Sequence, residues 1–190
     1  MKNVVAGVDE VGRGSLVGPV YAAAVILGNK IDISKLKDSK KLSKKNLNIL
    51  EKYIKKNSHW SIGSASLKEI EKLNILNASL LAMKRAVKNL KKKPKLVLVD
   101  GNKTPKIKNY NLKYVIKGDQ KIPEISAASI IAKVSRDRLI SKMSKKYKGY
   151  LWNKNAGYGT KDHLSAIKKY GITKHHRRKF KPIHNILSLK

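Results

Sequence analysis

The chain has 190 residues, 41% of them hydrophobic, with 44 lysines and arginines against 12 acids and a formal net charge of +32. That length suits one domain with a real core, and such a field favours a polyanionic partner. The chain has no cysteine, which excludes disulfides, thiolate metal sites and thiol nucleophiles. No apolar stretch approaches the ~20 residues of a membrane helix, so a soluble, intracellular protein is expected; a cytoplasmic location and a monomeric state are separate expectations.

Asn3 to Asp9 is an apolar run with three valines, closed by a Gly-Arg-Gly turn, and predicts a buried strand. Val20 to Leu27 predicts a second strand, joined to the first by a Gly- and Pro-rich, hairpin-like connection. Ser43 is placed to cap a helix through Leu47, Leu50 and Ile54. Trp60 to Ser66 alternates weakly and suggests a third strand. Ser66 then caps a helix through Ile70 and Leu73, whose period continues over Leu76, Leu80, Met83, Ala86 and Leu90 until Pro94 breaks it. Lys95 to Asp100 is continuously apolar, as expected of a strand covered on both faces. Lys113 to Lys117 is a fifth strand, and Ile122 to about Lys146 a long helix with small residues on its early turns. The tail from Gly149 mixes aromatics, glycine and basic residues around one helix near His163 to Tyr170. This order of elements indicates an α/β protein with a mixed sheet.

Three of the apolar runs end in acids: Asp9 with Glu10, then Asp100, then Asp119 just past the fifth strand. Ligands of open α/β sheets bind beyond the carboxyl ends of strands. Four acids on one rim repel one another unless a cation compensates them. So arranged they can hold two divalent ions ~4 Å apart, which suits phosphodiester cleavage. A lone acid is more often an ordinary strand-end residue, and Asp100-Gly101-Asn102 is an unremarkable turn by itself. Asp9-Glu10 beside Gly12-Arg13-Gly14 is harder to explain so simply. Successive side chains of a strand point to opposite faces, so both acids serve one site only if the strand ends there.

These motifs resemble ribonuclease HII, of the ribonuclease H superfamily, over nearly the whole chain. The resemblance lies in Ala-Gly-Val-Asp-Glu-Val-Gly-Arg-Gly (6–14), Asp-Ser-Lys-Lys-Leu-Ser (38–43), Leu-Asn-Ile-Leu-Asn-Ala-Ser (73–79) and Val-Asp-Gly-Asn (99–102). Lys-Gly-Asp (117–119), Pro-Glu-Ile-Ser-Ala-Ala-Ser-Ile-Ile-Ala-Lys-Val-Ser-Arg-Asp (123–137), Gly-Tyr-Gly-Thr (157–160) and His-His-Arg-Arg-Lys-Phe (175–180) complete it. It implies a ribonuclease H-like fold: a five-stranded mixed sheet flanked by helices, one domain over 1–190, with 148–190 as a C-terminal helical extension. It implies hydrolysis of the RNA strand of RNA–DNA hybrids and nicking of duplex DNA 5′ of embedded ribonucleotides, leaving 3′-hydroxyl and 5′-phosphate ends. Removal of misincorporated ribonucleotides and of RNA primers would follow. The cofactor implied is Mg²⁺ or Mn²⁺ in a two-metal arrangement held by Asp9, Glu10, Asp100 and Asp119. Gly12, Arg13 and Gly14 take the place of the turn that reads the 2′-hydroxyl, and Tyr158 that of the substrate-sensing tyrosine. Many members carry Pro where this chain has Gly159. Ribonuclease HIII, by contrast, carries Gly-Thr-Gly-like turns. A non-catalytic basic nucleic-acid-binding protein would account for the charge but not for acids at strand ends.

The 2′-hydroxyl is the one group that separates RNA from DNA at a site, and a glycine turn lets a backbone approach it closely. Lys40 and Lys41, in a loop, are candidates to grip phosphates, which hold register without reading sequence. Asn77 and Ser79 are equally well explained as helix-surface polars. Ser126 to Ser129 suggest close helix–sheet packing. Glu124 is an alternative to Asp119, which follows its strand more directly. Lys133, Arg136 and Asp137 read as helix-surface or ion-pair residues, and His163 as a helix-start residue. His175 to Arg178 lack further ligands at metal spacing and read as a basic or structural segment. Trp60 and Trp152 read as packing residues.

Overall fold

A computed structural model describes residues 4–36 and 42–188. Three antiparallel strands open it: β1 (Val5–Val11), β2 (Val20–Leu27) and β3 (Ser58–Ala65). Helix α1 (Lys44–Asn57) links β2 to β3, and α2 (Leu67–Lys88) leads to β4 (Leu96–Asp100) and β5 (Leu112–Val115). The sheet order is β3-β2-β1-β4-β5, with β1–β4 and β4–β5 parallel. It is the mixed five-stranded sheet expected.

Alternation along the central strands builds two apolar layers. Ala6, Val8, Ala22, Ala24, Val97 and Val99 face α2 through Ala78, Ala82, Met83 and Ala86. Ala23 and Val25 of the opposite face pack with Leu50 and Ile54 of α1 and with Ala127, Ala128 and Ile131 of α4 (Pro123–Ser144), which follows the short α3 (Gly118–Lys121). The approach of α4 to β1 is close. A Cβ placed on Gly7 would stand 2.1 Å from the carbonyl carbon of Glu124, so β1 admits only glycine there. Small residues on both elements bring the start of α4 against the strand that carries the first acids.

The helix starts follow capping chemistry. Ser43 accepts the Asn46 amide at 3.2 Å. Ser66 and Glu69 form a reciprocal capping box, and Pro123 opens α4. The helix expected from Ser66 onward is not continuous. Asn74 sits at φ 66, ψ 168 inside α2, and its side chain accepts the Asn77 amide at 3.1 Å. A second cap thus restarts the helix, and Asn-x-x-Asn was the unread signal for it. The fifth strand ends at Val115, short of Lys117, which adopts a left-handed φ of 54°.

The tail holds more helix than the sequence suggested: α5 (Trp152–Asn155), α6 (Lys161–Tyr170) and α7 (Lys181–Ser188). Leu16, Val17, Ile140, Tyr150, Trp152, Ile167 and Ile183 form a third apolar cluster. It joins the segment after β1 and the end of α4 to this C-terminal region. No helix among the described residues is long and apolar enough to cross a membrane.

Candidate active site

The β1 strand does not stop at the acids. It pairs with β2 as far as Val11–Tyr21, and Gly12 then turns the chain at φ 91. Asp9 and Glu10 are the third- and second-last residues of the strand, so the expected stop at the acids is not found. Glu10 and Asp100 nevertheless both act on Asp9, and Asp100 on Glu10, so the end of the strand still gathers the carboxylates at one rim. Asp9 lies one step beyond the parallel pair Val8–Val99, which places it beside Asp100 at the end of β4 on the face covered by α4. Asp100 accepts the Gly118 amide at 2.7 Å through Oδ1. That bond brings the start of α3, and the half-buried Asp119 next in sequence, to the same rim.

The electrostatics record this gathering of charge. Burial, then the neighbouring Glu10 and Asp100 carboxylates, push the Asp9 carboxyl well above its ordinary range. The Glu10 amide, donating to Asp9 Oδ1 at 2.7 Å, and the Ser129 hydroxyl oppose the rise. Burial also raises Glu10, while the Arg13 guanidinium, 3.2 Å from its Oε1, pulls the other way. Among the described residues, no group of three or more His, Asp or Glu side chains stands in an arrangement that would hold an ion as it is. Glu10 is turned to Arg13 and Asp100 to the Gly118 amide. The donor set is all oxygen, which suits a hard divalent cation. Such a cation would also offset the burial and repulsion that raise Asp9. By donor chemistry and charge the residues fit a divalent metal.

The glycine turn is held from behind. Gly14 and Arg13 are exposed, Gly12 is buried, and a Cβ on Gly14 would stand 3.9 Å from the Tyr158 ring. Ser15 bridges Tyr158, the Leu16 amide donates to the Gly157 carbonyl at 2.9 Å, and Ser15 Oγ donates to the same carbonyl at 2.9 Å. The turn and the tyrosine, 144 residues apart in sequence, thus share one short piece of backbone pairing. Tyr158 is 38% exposed, leaving its ring open to a ligand beside the turn.

Several residues read as surface features lie in the interior. Arg136 is fully buried, contrary to its reading as a helix-surface residue: the loop after β1 folds over α4 and offers it carbonyls. Lys133 and Asp137 do pair with each other, at 3.0 Å. His176 and Arg177 are buried too, so the His175–Arg178 segment is structural at its centre. Arg177 donates to the carbonyls of Gly18 at 3.0 Å and Arg13 at 2.8 Å. Burial, with repulsion from Arg136, holds its guanidinium down at about 9. His163 receives Trp152 Nε1–H at 2.9 Å on Nε2, and its Nδ1 lies 2.9 Å from the Tyr158 carbonyl. Trp152 is buried, while Trp60 is 38% exposed with Lys55 Nζ 4.2 Å from its ring centre. Ser126 binds the Leu36 carbonyl in the packing role expected, but Ser129 reaches Asp9. The small residues of α4 masked that contact in the sequence. Lys40 and Lys41 lie outside the described residues.

The fold and rim define a class: an α/β protein of ribonuclease H-like architecture, with carboxylates gathered at the ends of adjacent strands. Residues 6–183 match the family model for ribonuclease HII. The chain is 70% identical to the ribonuclease HII of Pelagibacter ubique (strain HTCC1062), over 97% of this chain and 99% of that one. It is 48% identical to the ribonuclease HII of Neisseria meningitidis serogroup B, over 99% and 97%. The crystal structure of ribonuclease H2 from Pyrococcus horikoshii OT3 superposes with a TM-score of 0.80 at 29% identity, covering 97% of each chain. The chain belongs to the ribonuclease HII family. It is an enzyme, a ribonuclease H of type 2 acting on RNA–DNA hybrids.

Proposed function

We propose that this ribonuclease nicks duplex DNA on the 5′ side of an embedded ribonucleotide and leaves 3′-hydroxyl and 5′-phosphate ends, besides hydrolysing the RNA strand of hybrids. The observation that carries the reading is the bridge of Ser15, next after the Gly12–Gly14 turn, to Tyr158, which sets Gly14 against the tyrosine ring beside the carboxylate rim. Backbone groups of the turn suit a 2′-hydroxyl, which both donates and accepts. The tyrosine ring suits the sugar of the following nucleotide, where a second hydroxyl would crowd it. A ribo–deoxyribo junction satisfies both.

Asp9, Glu10, Asp100 and Asp119 are the residues that would hold divalent metal, Mg²⁺ or Mn²⁺. Bound there, the metal supplies positive charge to activate water and to stabilise the leaving oxygen. The chain's own groups do the rest. Ser129 and the Glu10 amide orient the Asp9 carboxylate, Arg13 orients Glu10, and the Gly118 amide orients Asp100. Lys40 and Lys41 are assigned to phosphates flanking the junction.

The test is to map the cut on a duplex carrying one ribonucleotide, with and without Mg²⁺ or Mn²⁺. A single metal-dependent cut 5′ of the ribonucleotide, with a 5′-phosphate on the downstream fragment, is expected. Cutting at other positions, or equal cutting of an all-DNA duplex, would overturn the reading.

A further inference from the structure

Arg136 reaches from α4 to both the loop continuing the glycine turn and the tyrosine segment, which Ser15 also joins from within that loop. From α4, its Nε donates to the Pro19 carbonyl at 3.3 Å and its Nη2 to the Val17 carbonyl at 3.0 Å. Its Nη1 donates to the Ala156 carbonyl at 3.0 Å, two residues before Tyr158. The guanidinium carbon also stands 5.6 Å from the centre of the Tyr158 ring, within cation–π range. Gly12 packs against the same side chain: a Cβ there would lie 2.2 Å from Arg136 Nε. One rigid planar fork therefore sets the spacing between the turn and the ring.

Stability does not account for a guanidinium in this place. Burying a charge is costly, and well-packed apolar residues of similar volume are often as stable or more so. A lysine, whose three donors sit on one compact nitrogen, lacks the fixed fork that reaches these three carbonyls from separate nitrogens. What the arginine provides is a fixed distance between two segments far apart in sequence.

We infer that Arg136 is a positioning residue that sets the gap between the Gly12–Gly14 turn and Tyr158, and through it the selection of a ribo–deoxyribo junction. The inference rests on the roles given to the turn and to Tyr158 above. It gives Gly12 a second reason to be glycine, since the guanidinium occupies the space of a side chain. It also assigns Arg136 an effect on the rate of cleavage rather than on duplex affinity, because the residue is buried and meets no phosphate.

A double-mutant cycle with Tyr158→Ala and Arg136→Lys tests this, read as kcat and KM on a duplex with one ribonucleotide and on a uniform RNA–DNA hybrid. Arg136→Lys should lower kcat on the single ribonucleotide about tenfold, within the range expected of a misplaced group. KM should change little, and hybrid cleavage by less than about threefold. In the Tyr158→Ala background the same change should cost less than about twofold, because the residue through which it acts is gone. Equal losses in both backgrounds would overturn the inference while leaving Tyr158 in its role. No effect of Tyr158→Ala by itself would overturn the reading of Tyr158 and the inference with it. If Arg136→Lys does not fold, Arg136→Gln carries the same cycle. Failure of both to fold would assign Arg136 to the scaffold and overturn the proposal.

Discussion

Asp9 carries a charge that its place in the fold disfavours. Its carboxyl is buried between Glu10 and Asp100, and both environment and neighbours disfavour its charge. Asp9→Asn removes that repulsion while keeping shape. In metal-free buffer the variant should unfold at the same temperature as the parent or higher, measured by circular dichroism. Cleavage of a ribonucleotide-containing duplex should fall at least about a hundredfold. A variant that loses stability but keeps turnover would remove Asp9 from the metal site. Gly12 is constrained twice over, by φ 91 and by Arg136. The first constraint is visible in a Gly-x-Gly string, but the second exists only once α4 is in place.

At the scale of elements, the C-terminal helices form a support for Tyr158. Thr160 caps α6 and binds the His163 amide at 3.3 Å. His163 Nε2 accepts from Trp152 and lies 3.3 Å from His176 Nε2, so its Nδ1 carries the proton and donates to the Tyr158 carbonyl. His176 Nδ1 accepts the Thr173 amide at 2.8 Å. Each ring has one donor and one acceptor nitrogen in use, so both are neutral. Burial, with repulsion from His163, holds His176 down at about 4, and burial lowers His163 as well. The unfolded chain binds these protons near pH 6.5. Between pH 6.5 and about 4 it therefore holds more protons than the folded chain, and stability rises with pH. The contribution is full above about pH 6.5 and is lost as pH falls through that window, on the order of 3 kcal/mol for His176. Urea unfolding at pH 7.5 and pH 5 checks this: His176→Asn should flatten the difference between the two, and an unchanged difference would refute it.

For the whole molecule, charge governs association. A net charge of +32 on an enzyme of nucleic-acid duplexes should make binding strongly salt-dependent through counterion release. If six or more phosphates are contacted, affinity for a duplex should fall roughly a thousandfold between about 50 and 200 mM salt. Fluorescence anisotropy of a labelled duplex measures it, and a flat response would show that phosphate contacts do not drive binding.

The sequence alone determined the five strands and the capped helix starts, because period and caps are local signals, and it marked acids at or just beyond three strand ends, of which Asp119 falls in the short α3. Its motifs also marked Gly12–Gly14 and Tyr158. It did not show the break at Asn74, the extra helices of the tail or the contact from Ser129 to Asp9. Nor did it show that Arg136, His176 and Arg177 are buried. These are arginines and histidines whose types favour the surface, and only a loop folding back over α4 supplies the carbonyls and ring nitrogens that let them enter the core. The tertiary structure decided which distant segments meet, because burial of a polar group depends on partners that no local pattern names.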